Sequence, residues 1–133
     1  MLKQQFLNLE FENQLLDTFN FPKGFYKNCI FKNCTGLTNS NLSQYVFINC
    51  QFIDCDLSLA NFRETVLTDT IFENCELIGI QFDEIKQDPI TIIFKSCKLM
   101  LSSFYNLNLK NSKFQNCNLN NTDFIGATNY QIL

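Results

Sequence analysis

The sequence predicts an all-β solenoid in which the chain winds into square coils of about 20 residues. The first observation is a five-residue period, because Leu or Phe stands at every fifth position from 42 to 82 and again from 94 to 124. The second is a small or thiol-bearing residue, such as Ala60 or Cys75, two positions before most of them. Neither helical nor strand periodicity explains this pattern. A short extended segment followed by a corner explains the five-residue period, and four such sides close one coil.

Residues one coil apart should stack, and like residues do recur at that distance. One series of cysteines, for example, has spacings of 21, 20, 22 and 20. We therefore predict a core of stacked columns. Its members are Phe52, Phe72, Phe94 and Phe114; Leu57, Leu77, Leu99 and Leu119; Phe62, Phe82, Phe104 and Phe124; and Cys34, Cys55, Cys75, Cys97 and Cys117.

The repeated units resemble those of the pentapeptide-repeat family, which read approximately A-(D/N)-(L/F)-x-x. Matching units include Cys55-Asp56-Leu57, Ala60-Asn61-Phe62 and Thr122-Asp123-Phe124. The resemblance covers about residues 24 to 128. It implies a right-handed quadrilateral β-helix, here of roughly five coils, in a single domain spanning residues 1–133.

The N-terminal segment, residues 1–23, is less regular than the rest. Phe6, Phe11 and Leu16 keep the five-residue phase, but the small partner residues are missing. A degenerate first coil is the preferred interpretation, and a short helical cap over the open end is the alternative.

The remaining chain divides at two departures from the period. Residues 24–82 form the first block of repeats, with one extra residue near Gly36, where glycine would ease a bulge. Residues 83–93 contain two extra positions and are predicted to form a loop that replaces one wall of the coil. Residues 94–128 resume the repeats, and residues 129–133 form a C-terminal tail. With only four Gly and two Pro, the coils are expected to use ordinary backbone dihedrals.

Polar residues directly before the cysteines are predicted to occupy the corners of the coil. Asn side chains hydrogen-bond local backbone and tolerate unusual dihedrals, and stacked copies can form hydrogen-bonded ladders. These corner residues are Asn28, Asn33, Asn49, Asn74 and Asn116, with Asp54 and Ser96 as variants.

The seven cysteines raise the question of a disulfide or metal site, because stacked neighbours would lie roughly 5 Å apart at Cα. Their position also accepts Ala, Ser or Thr, which is typical of a small buried filler. The chain has no His, and Cys29 and Cys34 are five residues apart, which does not match zinc-binding spacing. We predict no metal and no cofactor, and a thiol or metal-binding protein is the less favoured alternative.

No enzymatic motif is visible, since the chain lacks His, a Gly-rich phosphate loop and a nucleophile paired with a base. Residues 1–21 contain no secretory signal, and no segment is apolar enough to span a membrane. We therefore expect a non-catalytic cytoplasmic protein with reduced thiols and no membrane partner.

Charge is concentrated in the middle of the chain. Residues 54–88 carry a net charge of −7, whereas residues 1–53 carry +1 and residues 95–133 carry +3. Such an acidic segment disfavours nucleic acid and attracts a basic protein surface. We expect a protein-interaction scaffold that binds through its outer faces and the 83–93 loop. The candidate binding residues are Asp69, Glu73, Glu76, Asp83, Glu84, Lys86 and Asp88.

The family resemblance adds an alternative function and an assembly. Quinolone-resistance members of the family are rods that mimic DNA and bind gyrase or topoisomerase IV, so a type II topoisomerase is the alternative partner. Known dimers of the family join through C-terminal segments, which implies a homodimer through the C-terminal end of this chain.

Overall fold

The computed structural model describes residues 4–86 and 89–133. The chain winds into a β-solenoid of about six turns, so the predicted pentapeptide-repeat β-helix is confirmed. It has one turn more than the predicted five, because residues 5–24 already complete a turn whose strands pair with those of the next one. Within the described residues there is no α-helix.

One wall of the solenoid is a four-stranded parallel sheet in the order β1-β3-β5-β7. Its strands are β1 (Gln5–Leu7), β3 (Phe25–Lys27), β5 (Val46–Ile48) and β7 (Val66–Thr68). Phe6, Tyr26, Phe47 and Leu67 stand at the centres of these strands and are paired in register. This sheet ends at β7, and its wall resumes only with an isolated bridge between Asn108 and Thr128.

The neighbouring wall is a seven-stranded parallel sheet that runs the whole length of the solenoid. Its strands are β2 (Glu10–Glu12), β4 (Ile30–Lys32), β6 (Gln51–Ile53), β8 (Thr70–Glu73), β9 (Ile92–Lys95), β10 (Lys113–Gln115) and β11 (Gln131–Ile132). β9 begins at Ile92, so the loop predicted over 83–93 ends two residues earlier than expected.

The other two walls are held by isolated parallel bridges rather than by extended strands. The third wall carries the bridges Asp56↔Glu76, Glu76↔Lys98 and Lys98↔Asn118. The fourth wall carries Asn41↔Asn61, Gln81↔Ser103 and Ser103↔Asp123.

The core consists of the stacked columns. Phe52, Phe72, Phe94 and Phe114 are all fully buried, and their rings stack with centroids 5.0–5.5 Å apart. The Leu57 and Phe62 columns are equally buried through Leu99 and Phe104. The last members of the columns, Cys117, Leu119 and Phe124, are only partly buried and pack against the core from its edge, since fewer turns cover them.

The corners contradict the expectation of ordinary dihedrals. Among the described residues, nineteen other than glycine have positive φ, and every predicted corner residue is one of them, with φ from 51° to 55°. Asn is favoured there because its short polar side chain tolerates the left-handed region. The expected ladders are present as well: Asn28 Nδ2 donates to Asn8 Oδ1 at 3.0 Å, and Asn49 Nδ2 donates to Asn28 Oδ1 at 2.7 Å.

The extra residue near Gly36 is accommodated by a glycine-specific conformation. Gly36 has φ of +86°, and a Cβ at this position would lie 2.4 Å from the carbonyl oxygen of Leu16. Both the backbone angle and the close approach therefore require glycine.

The last turn is partly closed by one aromatic ring. Tyr130 stacks on Phe124 with a centroid distance of 5.0 Å and meets the edge of Phe114. Ile132 and Leu133 remain exposed, at 56% and 65%.

Candidate functional site

The candidate binding residues encircle the rod instead of forming one patch. Asp69 lies at the corner between the two sheets, Glu73 ends β8 and Glu76 lies on the third wall. Asp83 and Glu84 lie in a 3₁₀ turn, Phe82–Glu84, at the end of the fourth wall. Lys86 follows on the interrupted wall, and Asp88 lies outside the described residues. One turn takes about 20 residues, so the acidic positions from 69 to 84 are distributed over several sides.

A first cleft, of about 270 Å³, lies along the third wall. It is lined by Asp54, Asp56 and Glu76 together with Lys98. Glu76 and Lys98 form an ion pair at 3.6 Å with both side chains about half exposed. Such an exposed pair contributes at most about 1 kcal/mol to stability, but it neutralises part of the negative charge there.

A second cleft, of about 600 Å³, lies where the loop leaves the regular coil, and we call it the loop-base cleft. It is lined by Arg63, Glu64, Asp83, Glu84, Ile85 and Lys86. Asp83 Oδ1 is buried and has no hydrogen-bond partner among the described residues. A buried acceptor without a donor is unfavourable by roughly 1–3 kcal/mol.

The sequence builds this cleft by keeping the core regular up to Phe82. Phe82 stacks between Phe62 and Phe104, with centroids 5.6 and 4.7 Å away. The 3₁₀ turn then closes with Ile85 N donating to Phe82 O at 3.1 Å, and Lys86 N donates to Thr65 O at 2.9 Å. The loop thus begins from a fixed point on the rod.

The far end of the loop is also fixed. Thr91 N donates to Leu67 O at 3.2 Å, and Thr68 Oγ1 donates to Pro89 O at 3.0 Å. Ile85 and Ile90 are buried in the core, at 4% and 5% exposure. Where the loop replaces the wall, the core is therefore filled by two isoleucines that the five-residue period did not reveal.

Two residues of the loop-base cleft, Arg63 and Glu64, were not among the sequence candidates. The sequence could have indicated Glu64, because Glu64 and Glu84 are 20 residues apart, which is one coil, and therefore stack at the same corner. Glu64 N donates to Glu84 O at 2.9 Å across that step. Arg63 carries no comparable signal.

The cysteine thiols are interior packing groups that donate to backbone. Cys75 Sγ donates to Phe52 O and Cys97 Sγ to Phe72 O, both at 3.2 Å. Burial raises the pKa of the Cys50 thiol to about 12 and that of Cys55 to about 11, from an ordinary 9.0. All seven cysteines are free.

The described residues contain no cluster of three or more metal-ligating side chains, and none of their helices could cross a bilayer.

The coil geometry, the corner ladders and the thiol columns define a β-solenoid assembled from five-residue units. A profile of the family described as "Pentapeptide repeat region" matches residues 25–93, and one described as "Pentapeptide repeats (8 copies)" matches residues 102–128. The chain belongs to the pentapeptide-repeat family. A search of curated proteins gave no significant match.

Solved structures of similar proteins include two of QnrB1, a plasmid-mediated fluoroquinolone resistance protein. A trypsin-treated variant is 18% identical with a TM-score of 0.41, and the match covers 97% of this chain and 80% of that one. Full-length QnrB1 is 17% identical with a TM-score of 0.40, covering 94% and 86%. The pentapeptide-repeat protein Rfr23 from the cyanobacterium Cyanothece 51142 is 18% identical with a TM-score of 0.31, covering 97% and 91%. At these values no functional assignment is drawn from the likeness.

Proposed function

We propose that this protein is a non-catalytic interaction scaffold that binds a basic surface of a partner protein in the loop-base cleft. The observation that carries the proposal is the cleft itself, where Glu64 and Glu84 stack at one corner and Asp83 adds a third carboxylate. Lys or Arg of a partner would be attracted by these carboxylates and would donate charge-assisted hydrogen bonds to them.

The anchoring of the loop favours binding over catalysis. Both ends of the loop are hydrogen-bonded to β7 or to the residue before it, and two buried isoleucines hold it. Residues anchored in this way lose little conformational entropy when a partner binds. The chain offers no His as a proton-transfer group, and burial keeps the Cys50 and Cys55 thiols protonated at neutral pH. We place this activity in the cytoplasm.

The test compares a cleft variant with a matched control. The double variant Asp83→Asn/Glu84→Gln removes two charges with little change of shape. The control, Glu10→Gln/Glu12→Gln, removes two charges from exposed positions of β2, on the first turn. A partner captured by crosslinking in cells is purified and its affinity measured by calorimetry. We expect the cleft variant to lose at least about tenfold in affinity and the control to bind normally. Equal affinity of all three proteins would exclude the cleft as the binding site.

A type II topoisomerase is a second candidate partner, and the distribution of charge favours it. Carboxylates lie on three walls in the middle of the rod and at both corners of the remaining wall, which approaches the arrangement of phosphates around a DNA duplex, whereas a single acidic patch would present them on one side. Gyrase supercoiling is measured with the purified protein, with and without a quinolone. Inhibition or drug protection that disappears when residues 83–89 are shortened would support this partner. No effect at micromolar protein would reject it and leave the scaffold proposal standing.

A further inference from the structure

The outer surface of the four-stranded sheet carries a group of apolar residues on its inner strands, with Lys27 and Thr68 beside them. The central residues of β3, β5 and β7 are buried. Because side chains alternate along a strand, the residues on either side of each centre point outward. Phe25, Val46, Ile48 and Val66 occupy these outward positions and are only partly buried. Together they form one contiguous patch over three turns, which we call the valine face.

The fold does not require apolar residues at outward positions. The equivalent positions of the third wall hold Asp56, Glu76 and Lys98. Intrinsic strand preference favours Val and Ile, but the seven-stranded sheet intersperses its isoleucines with Lys32, Glu73 and Lys95. Contiguous exposed apolar surface bordered by polar residues is typical of an interaction site.

The charges that border the valine face are arranged so that the face is complementary to the same face of a second copy. Along one corner, Lys23, Gln44 and Glu64 stack on successive turns, from positive through neutral to negative. Lys23 Nζ donates to Gln44 Oε1 at 3.2 Å and so lies along that column. On the opposite side, Lys27 lies on the same turn as Lys23, and Asp69 lies on the same turn as Glu64.

We propose that the valine face pairs with the valine face of a second copy, with the two rods antiparallel. The two-fold axis runs along β5, so Val46 and Ile48 meet their own counterparts and Phe25 meets Val66. The same rotation brings Lys23 of each copy opposite Glu64 of the other and Lys27 opposite the Thr68–Asp69 corner. A parallel pair would instead bring the lysines of one turn opposite each other, which is unfavourable.

The size of the face predicts a reversible dimer. Three short strands spaced about 4.8 Å apart cover much less than the roughly 800 Å² per partner of a stable interface. Association is therefore expected at high micromolar concentration rather than at nanomolar concentration.

The first experiment is sedimentation velocity of the full chain from about 5 to about 500 µM, a range suited to a small interface. We expect a shift from monomer to dimer within this range. Val46→Glu places two carboxylates against each other on the axis and should abolish the shift. Ile71→Glu, at an outward position of β8, is the matched control and should dimerise normally. Circular dichroism confirms that both variants are folded.

The second experiment exchanges charges. Lys23→Glu and Glu64→Lys should each raise the dissociation constant about tenfold, because every dimer contains two such pairs, and the double variant should restore it. A monomer at all concentrations, or a double variant weaker than both single variants, would overturn the proposal. So would a dimer that Leu133→Glu abolishes and Val46→Glu does not, which would establish the C-terminal pairing implied by the family resemblance.

Discussion

The two sheets of the solenoid begin alike and end differently. The seven-stranded sheet continues without interruption from β2 to β11, whereas the four-stranded sheet stops at β7, where the loop replaces the next strand. Both sheets have fully buried residues at the centres of their inner strands and Asn or Asp at their common corner. The interrupted wall retains its core through Ile85 and Ile90 but loses its regular ladder.

This difference separates the sources of stability from those of surface chemistry. The uninterrupted sheet repeats the same contacts in every turn, and each turn is stabilised mainly by its neighbours. The interrupted wall keeps enough buried surface to anchor both ends of the loop, and the loop brings carboxylates together at its base. Substitutions in the two regions should therefore differ in how much unfolding free energy they cost and in how far along the rod their effect extends.

The largest effect is expected in the uninterrupted wall. Phe72→Ala removes a ring that stacks on Phe52 at 5.1 Å and on Phe94 at 5.5 Å, and should cost about 3–5 kcal/mol of unfolding free energy. Glu73→Ala, at the exposed neighbouring position, should cost less than about 0.5 kcal/mol. Urea denaturation measures both. Equal shifts of the unfolding midpoint would refute the assignment of inward and outward sides.

A smaller and more local effect is expected in the interrupted wall. Ile90→Ala removes one anchor of the loop and should cost about 2 kcal/mol, at the lower end for such changes because the loop can adjust. Hydrogen exchange should show faster exchange of the Lys86 and Thr91 amides, which bond to Thr65 and Leu67. Amides of β8 and β9 should keep their protection. Loss of protection throughout the rod would mean that the loop and the walls unfold as one unit.

The corner shared by both sheets should respond to backbone geometry. Asn49 has φ of 53° and donates to Asn28, so Asn49→Ala should cost about 1–2 kcal/mol. Asn49→Gly removes the same hydrogen bond but accepts the backbone angle, and should cost less. Thermal unfolding distinguishes the two. Equal losses would assign the effect to the ladder rather than to the dihedral.

The most gradual effect is that of alkaline pH on the thiol columns. The folded chain holds the Cys50 and Cys55 protons more tightly than the unfolded chain, because burial raises these two pKa values to about 12 and about 11. Their contribution to stability is intact below the unfolded value of 9.0 and is lost as the pH rises from there through 11 to 12. The melting temperature of Cys50→Ser should fall less over this range than that of the unmodified protein. Parallel curves would exclude the thiol as the cause.

The periodic part of the structure was predictable from the sequence, and the site was predictable only in part. The Phe52 and Leu57 columns followed from spacing alone, because every turn repeats the same contacts. The position of the loop followed from the broken spacing, but its anchors Ile85 and Ile90 did not, since they lie outside the period. The acidic segment was identified along the chain. Its distribution around the rod could be seen only when each residue was placed on a wall.

The Phe52, Phe72, Phe94 and Phe114 column also gives the protein an unusual optical property. The chain has no Trp and only four Tyr beside 15 Phe, and neighbouring rings of this column are inclined by only 11–13°. Regularly stacked rings couple their electronic transitions, so the phenylalanine region of the near-ultraviolet circular dichroism spectrum should be unusually strong. That band would vanish when side-chain packing is lost and would report on the integrity of the stack without any label.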